Sequence, residues 1–169
     1  MPQKIVKGRP VRSLHLLNKS DLRKLAQFGR EIHYSRSQFV FKENDKSDSF
    51  YVLLAGEIQV TKMIRGKGQV ALRTLKPGNL FGEMSLFTRR RRSASCQVME
   101  SAVVLEIPNN QFKKLLRDGD TTATKLVHLN CHLLADRLNH VLDLIGKDSF
   151  ATSVENPMFL RKIKFFWAV

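Results

Sequence analysis

The stretch Phe81-Gly82-Glu83-Met84-Ser85-Leu86-Phe87-Thr88, followed by Arg89 to Arg92 and Ser93-Ala94-Ser95, constrains this chain more than any other. Its neighbours alternate like strands, whereas it reads as a tight turn, a short helix and a cationic loop, so a strand-rich body must accommodate one helical insertion. Gly82 lets backbone come close to a bound group. The amides that follow, at the start of the short helix, point unpaired N–H groups and the positive end of a dipole outward. A phosphate fits such a cradle. Arg92 beside Ser93 adds a planar donor fork and a hydroxyl, and Glu83 offers a carboxylate that accepts hydrogen bonds from a sugar hydroxyl.

The segments around this stretch read as short strands over residues 31–34, 38–41, 50–54, 57–64, 69–75, 96–98 and 103–107, which suggests a barrel or jelly roll. Ala55-Gly56-Glu57 marks a tight turn and Arg65-Gly66-Lys67-Gly68 a hairpin tip where like charges meet water. Ahead of the strands, Ser20-Asp21 is a possible cap for an amphipathic helix carrying Leu22, Leu25, Ala26 and Phe28 and ended by Gly29. Behind them, Pro108 fits the first turn of a helix with Phe112, Leu115 and Leu116 on its apolar face, broken at Asp118-Gly119-Asp120. A longer helix over 121–145 follows, capped by Thr121 or Thr122. Val127, Cys131, Leu134, Leu138, Val141 and Ile145 form a heptad seam along it, and Leu126, Leu129 and Leu133 form a second stripe.

On these residues the chain resembles the cyclic nucleotide-binding domain family, whose phosphate-binding cassette runs Phe-Gly-Glu, a few small or apolar residues, a variable stretch, then Arg-Ser/Ala/Thr-Ala. Phe41-Lys42-Glu43-Asn44-Asp45 through Phe50-Tyr51-Val52-Leu53-Leu54-Ala55-Gly56-Glu57 is similar to the family's turn, strand and glycine-turn pattern. Leu75-Lys76-Pro77-Gly78-Asn79-Leu80 resembles its approach to the cassette. The resemblance covers roughly residues 14 to 145. Arg91 stands where a proline often precedes the arginine, Asn44 where a glycine is usual, and Asn79 where an aspartate is usual; Asn44 tolerates the left-handed conformation almost as glycine does. Four consecutive arginines leave the fork open between Arg91 and Arg92, and the Arg-Ser-Ala order favours Arg92.

The resemblance implies a mainly β fold with flanking helices: a double-stranded β-helix (jelly roll) with a short cassette helix and a long C-terminal helix. The implied ligand-binding residues are Phe81, Gly82, Glu83, Met84, Ser85, Arg92, Ser93 and Ala94, with Asn130 on the C-terminal helix meeting a purine edge. The ligand expected is a cyclic nucleotide, cAMP or cGMP. Ser93 favours cAMP, because a threonine at that point in the family often accompanies guanine recognition.

Composition narrows the function classes. With 43% hydrophobic and 26% charged residues the chain can bury a core, and its apolar runs are too short for a membrane span or a signal peptide, so a cytoplasmic protein is expected. Cys96 and Cys131 are isolated and read as reduced, and His128, His132 and His140 lack a completing acid or thiolate, so no metal is expected. The net charge of +14 sits in residues 1–37, in Arg89–Arg92 and in the last nine residues; elsewhere it balances. Local anion contacts are therefore favoured over a coating of nucleic acid.

Residues 1–13 read as a basic arm, 14–146 as the sensor domain with its helix, and 147–169 as a basic, aromatic tail able to touch an anionic membrane. No nucleophile with its base can be assembled, which disfavours an enzyme. The expected function is a stand-alone sensor that pairs as a homodimer through helix 121–145 and signals through that helix to an unknown effector protein. A catabolite-activator-type transcription regulator is the alternative, disfavoured because 24 residues follow Ile145, too few for its DNA-binding domain. A ligand-free scaffold of the same fold is the other.

Overall fold

The computed structural model describes residues 17–88 and 90–149. The basic arm and the aromatic part of the tail lie outside them, as do the side chains of Ser85, His140, Val141 and Ile145. The chain divides into two compact units between Asn130 and Cys131.

The first unit opens with α1 (Lys19–Phe28), capped by Asn18 rather than by Ser20: Asn18 Oδ1 accepts from the Asp21 amide and Asp21 returns the bond to the Asn18 amide, a capping box. Gly29 ends it, with an extended backbone. Six strands follow in one antiparallel sheet, β1 (Arg30–Ser35), β2 (Phe39–Phe41), β3 (Ser49–Ile64), β4 (Gly68–Leu75), β5 (Leu80–Phe81) and β6 (Ser95–Pro108), with the order β1-β6-β3-β4; β2 joins β6, and β5 joins β3. Between β5 and β6 lies the short helix α2 (Met84–Thr88).

The expected seven strands are thus fewer and longer. Residues 50–54 and 57–64 are one strand, and so are 96–98 and 103–107. Gly56 is not a tight turn: it sits inside β3 with φ +86, where the β3–β6 register shifts on either side of it. That is a bulge, which bends a strand without ending its pairing. A Cβ at Gly56 would lie 1.9 Å from the Ser101 carbonyl oxygen, so glycine is required for close approach of the two long strands. β5, absent from the sequence reading, is two residues held against Tyr51 and Val52.

Inside the sheet, Leu53, Ile58, Leu75, Val98 and Val104 are buried together with Tyr51 and Phe81. α3 (Asn109–Arg117) begins after Pro108, its N-cap, and Phe112 packs edge-on against Phe50 with centroids 5.2 Å apart. α4 runs from Thr121 to Ser149. Its cap is Asp120, whose Oδ1 accepts from the amides of Thr122 and Ala123, and not a threonine. Thr122 instead donates its hydroxyl to Asp21. In the second unit Leu133 is buried, Leu134 half-buried, and Cys131 and Leu138 exposed. No helix among the described residues is long and apolar enough to cross a membrane.

Asp21 ties α1 to the start of α4. It receives Lys125 Nζ at 2.9 Å as well as the Thr122 hydroxyl and the Asn18 amide. The Lys125 hydrogen bond, then the Asn18 amide, hold its carboxyl at about 2, down from 3.8. The folded state therefore binds this proton more weakly than the unfolded chain, so the stabilisation is complete above 3.8 and is lost as pH falls through about 2. Chemical denaturation across that interval is expected to show stability falling with pH, and to show a shallower fall in Asp21→Asn.

Candidate functional site

Local chemistry builds the cassette. Gly82 adopts φ +72, which an L-residue resists, and this turns the chain from β5 into α2. A Cβ there would stand 2.6 Å from Arg92 Nη1 and 3.3 Å from the rings of Phe41 and Tyr51, so the turn and the arginine occupy each other's space.

Arg92 is 4% exposed, a buried cation. Its Nη1 donates to the Gly82 carbonyl at 2.9 Å and its Nη2 to the Ser49 carbonyl at 2.8 Å. The guanidinium lies 4.2 Å from the Phe41 ring centroid and 5.3 Å from that of Tyr51, both within cation–π range. Burial lowers its pKa from the ordinary arginine value. Its backbone is gripped as firmly: Arg92 N–H donates to the Asp45 carbonyl and Asn44 N–H donates to the Arg92 carbonyl. Asn44, with φ +70, takes the left-handed conformation expected of it, which lets the turn 42–45 meet the loop.

Arg91 is exposed and places its Nη1 on the Asn44 carbonyl at 2.8 Å. Of the two candidate forks, Arg92 is the one under the cassette.

Under Arg92 a polar chain leads outward. Tyr51 donates to Glu106 Oε1 at 3.1 Å, with Ser49 Oγ 3.0 Å from both. Arg30 Nε donates to Glu106 Oε2 at 2.7 Å. Burial pushes the Tyr51 hydroxyl up to about 12, so it stays a donor. Burial opposes the charge on Glu106 too, but Arg30, Ser49 and Tyr51 outweigh it and hold that carboxyl below its usual range.

The remaining expected residues divide into two groups. Phe81 is buried and stacked on Tyr51 with centroids 5.2 Å apart. Met84 and Ser93 are exposed, with Ser93 Oγ 3.6 Å from the Met84 sulfur, and Ala94 is half-buried. Ser85 lies in α2. Glu83 is 2% exposed and Asn130 3% exposed, and both line one crevice with Phe50, Phe87, Phe112 and Leu126, filled so closely that no water fits. Asn130 Oδ1 has no hydrogen-bond partner among the described residues. An orphaned buried acceptor costs roughly 1–3 kcal/mol and is retained where something else satisfies it.

Reading the sequence missed the aromatic seat of Phe41 and Tyr51, the Ser49 carbonyl and the crevice residue Phe87. The recurring aromatics at 39, 41, 50 and 51 were the available signal. His128 and His132 are exposed, and no cluster of three metal-binding side chains occurs among the described residues.

Comparison with known proteins gives the context. The family model described as "Cyclic nucleotide-binding domain" matches residues 31–118. The chain is 31% identical to the "Cyclic AMP receptor protein" of Thermus thermophilus over 125 residues, 72% of this chain and 56% of that protein. It is 29% identical to the "cGMP-dependent protein kinase egl-4" of Caenorhabditis briggsae over 107 residues, 62% of this chain and 14% of the kinase. The chain thus spans only part of the curated relatives it matches. The solved structure of the Thermus thermophilus Catabolite Activator Protein superposes with TM-score 0.70 and 26% identity, covering 80% of this chain and 63% of that one. A cyclic nucleotide-binding domain from Methylobacillus flagellatus superposes with TM-score 0.70 at 24% identity, covering 79% and 80%, which speaks for the β-roll fold.

Gly82→Ala is expected to destabilise the protein by about 1–3 kcal/mol, combining left-handed strain with loss of the Arg92 contact. In an Arg92→Ala background the same substitution is expected to cost only about 1–2 kcal/mol, the strain alone. Denaturation of the four proteins in this cycle measures the difference. Equal costs in both backgrounds would separate the glycine from the arginine.

Proposed function

Because this chain belongs to the cyclic nucleotide-binding domain family, we propose that it is a cyclic nucleotide sensor module, within residues 14–146, in which Arg92 and Glu83 hold the ligand by opposite ends. The observation that carries this reading is the buried Arg92 guanidinium, locked onto the Gly82 carbonyl immediately before the buried Glu83. A ring-shaped monoanion with a free ribose hydroxyl needs that pair: a charged fork at the phosphate and a carboxylate at the sugar. Ser93 adds a hydroxyl at the phosphate end, and Phe81, Gly82, Met84, Ser85 and Ala94 shape the cradle.

Asn130, with its orphaned Oδ1, meets the base edge. An amide offers an acceptor and a donor side by side, which suits the amine and ring nitrogen of adenine; with the serine at position 93, the preferred ligand is cAMP over cGMP. Binding must part Phe87 and Leu126, since their crevice is filled. That filled crevice also favours a second reading, a scaffold with no ligand.

Titration calorimetry with cAMP, cGMP and cyclic di-GMP separates the two. The sensor reading expects cAMP to bind most tightly and Arg92→Ala to weaken it about ten-fold to over a hundred-fold, the worth of a charge-assisted fork at roughly 1.5–3 kcal/mol. Arg90→Ala, at an exposed position, is expected to cost far less because water screens that charge. No heat with any nucleotide would leave the scaffold. Equal losses at Arg90 and Arg92 would reject the assigned fork.

We further infer that the chain pairs with a second copy through α4 and signals to an effector protein by that helix. The support is the spacing of Leu134 and Leu138 on one heptad seam and the 50% exposure of Leu138. Exposed leucines at seam positions are what a coiled-coil partner covers. Leu138→Asp is expected to give a monomer by sedimentation, because each chain would then bring a charge into the seam. An unchanged oligomeric state removes the seam. A monomer whose cAMP affinity equals that of the parent keeps the seam and removes any coupling between sensing and pairing.

A further inference from the structure

The β3–β4 hairpin ends in a tip that nucleotide binding does not use. At the end of β3, Met63 is 64% and Ile64 36% exposed. The turn beyond carries Arg65 and Lys67 interleaved with Gly66 and Gly68, both at positive φ and both with open space within 4 Å of where a Cβ would stand. The turn therefore projects clear of the rest of the described chain, while at its base the Met63 N–H donates to Glu43 Oε2 at 3.0 Å.

Met63 and Ile64 are consecutive strand residues, so their side chains leave opposite faces of the hairpin. A flat surface laid on one face would cover one and leave the other in water. A medium that surrounds the tip covers both.

Charge selects the medium. From Ile58 to Gly82 the chain carries Lys62, Arg65, Lys67, Arg73 and Lys76 and no acid. Glu43 pairs with Lys62, and Glu57 with Lys76, but Arg65 and Lys67 form no ion pair among the described residues. Lys62 Nζ also donates to the Ser93 carbonyl at 2.7 Å, so the root of the hairpin stands beside the loop where Arg90 and Arg91 are exposed. A nucleic acid would satisfy the cations but offers nothing to an aliphatic pair, and the tip has no aromatic ring on which a base could stack.

We propose that this tip docks on an anionic phospholipid surface, with Met63 and Ile64 entering the acyl boundary and Arg65 and Lys67 meeting the head-group phosphates. The two contributions act together, as burial of apolar side chains and attraction to anionic lipid do at interfaces. None of Met63, Ile64, Arg65 and Lys67 is among the residues assigned to the nucleotide.

Co-sedimentation of the full chain with vesicles of phosphatidylcholine alone and of phosphatidylcholine mixed with phosphatidylserine tests it. Binding to the mixed vesicles and not to the neutral ones is expected. Arg65→Ala with Lys67→Ala is expected to weaken it about five-fold per cation removed. Met63→Ser with Ile64→Ser is expected to weaken it about ten-fold or more while leaving its salt dependence intact. Met63→Trp gives a second readout through quenching by brominated acyl chains, which requires insertion. Failure to bind, equal binding to neutral vesicles, or competition by duplex DNA would overturn the proposal. Binding that survives both double substitutions would also overturn it, since the contact would then lie elsewhere on the chain, the 150–169 tail included.

Discussion

The guanidinium of Arg92 is the group on which the rest of the site depends. A buried cation is costly unless its donors and its charge are both met. Here two carbonyls, from Gly82 and Ser49, meet Nη1 and Nη2, and two rings, from Phe41 and Tyr51, face the charge, while Nε has no hydrogen-bond partner among the described residues. Those partners come from β2, β3 and the turn into α2, so one side chain fastens the cassette to β3 and to β2. The backbone pairing of Arg92 with Asn44 and Asp45 anchors the same residue from the other side. Few rotamers survive such constraints, and a fork held in one plane loses little freedom when it meets an anion's oxygens.

The polar chain from Tyr51 through Glu106 to Arg30 explains why a tyrosine and a carboxylate can lie so near this cation without disturbing it. The hydroxyl remains protonated and donates; the carboxylate remains charged and spends its acceptors on Tyr51, Ser49 and Arg30. In a low-dielectric interior each of these bonds is stronger than in water, and each broken one is more costly. The negative charge faces outward toward Arg30, and the positive charge faces the cassette. Beside this hydrogen-bonded seat, the crevice that holds Glu83 and Asn130 is lined otherwise by apolar side chains, Phe87 and Leu126 among them.

Two kinds of feature were legible in the residues themselves. Turn and cap chemistry is local, so Gly82 at positive φ, the left-handed Asn44, the stop at Gly29 and the breaks around Gly119 follow from residue type and spacing. Periodicity is local too, which is why the strand-rich body, the cassette helix and the long final helix could be placed, and why a match to a family motif of defined residues was readable. The errors were at junctions. Gly56 looks like a turn residue, yet across from Ser101 it makes a bulge, and two strands become one. Asp120, read as a helix breaker, caps α4, and Thr122 is drawn away to Asp21, which is 101 positions distant.

By itself, then, the sequence determined which stretches extend, which coil, where the chain turns, and that a glycine, a glutamate and an arginine stand at the spacing of an anion-binding cassette. Tertiary structure decided that Arg92 is buried while Arg90 and Arg91 are exposed, because burial depends on Phe41, Tyr51 and the Ser49 carbonyl, all at least forty positions away. It also brought Asn130 of α4 to the same crevice as Glu83 and left the Met63–Ile64 tip uncovered. The physical reason is the range of the interactions: dihedral preference and helical spacing act over a few residues, whereas the environment of a charge is set by whatever the folded chain places around it.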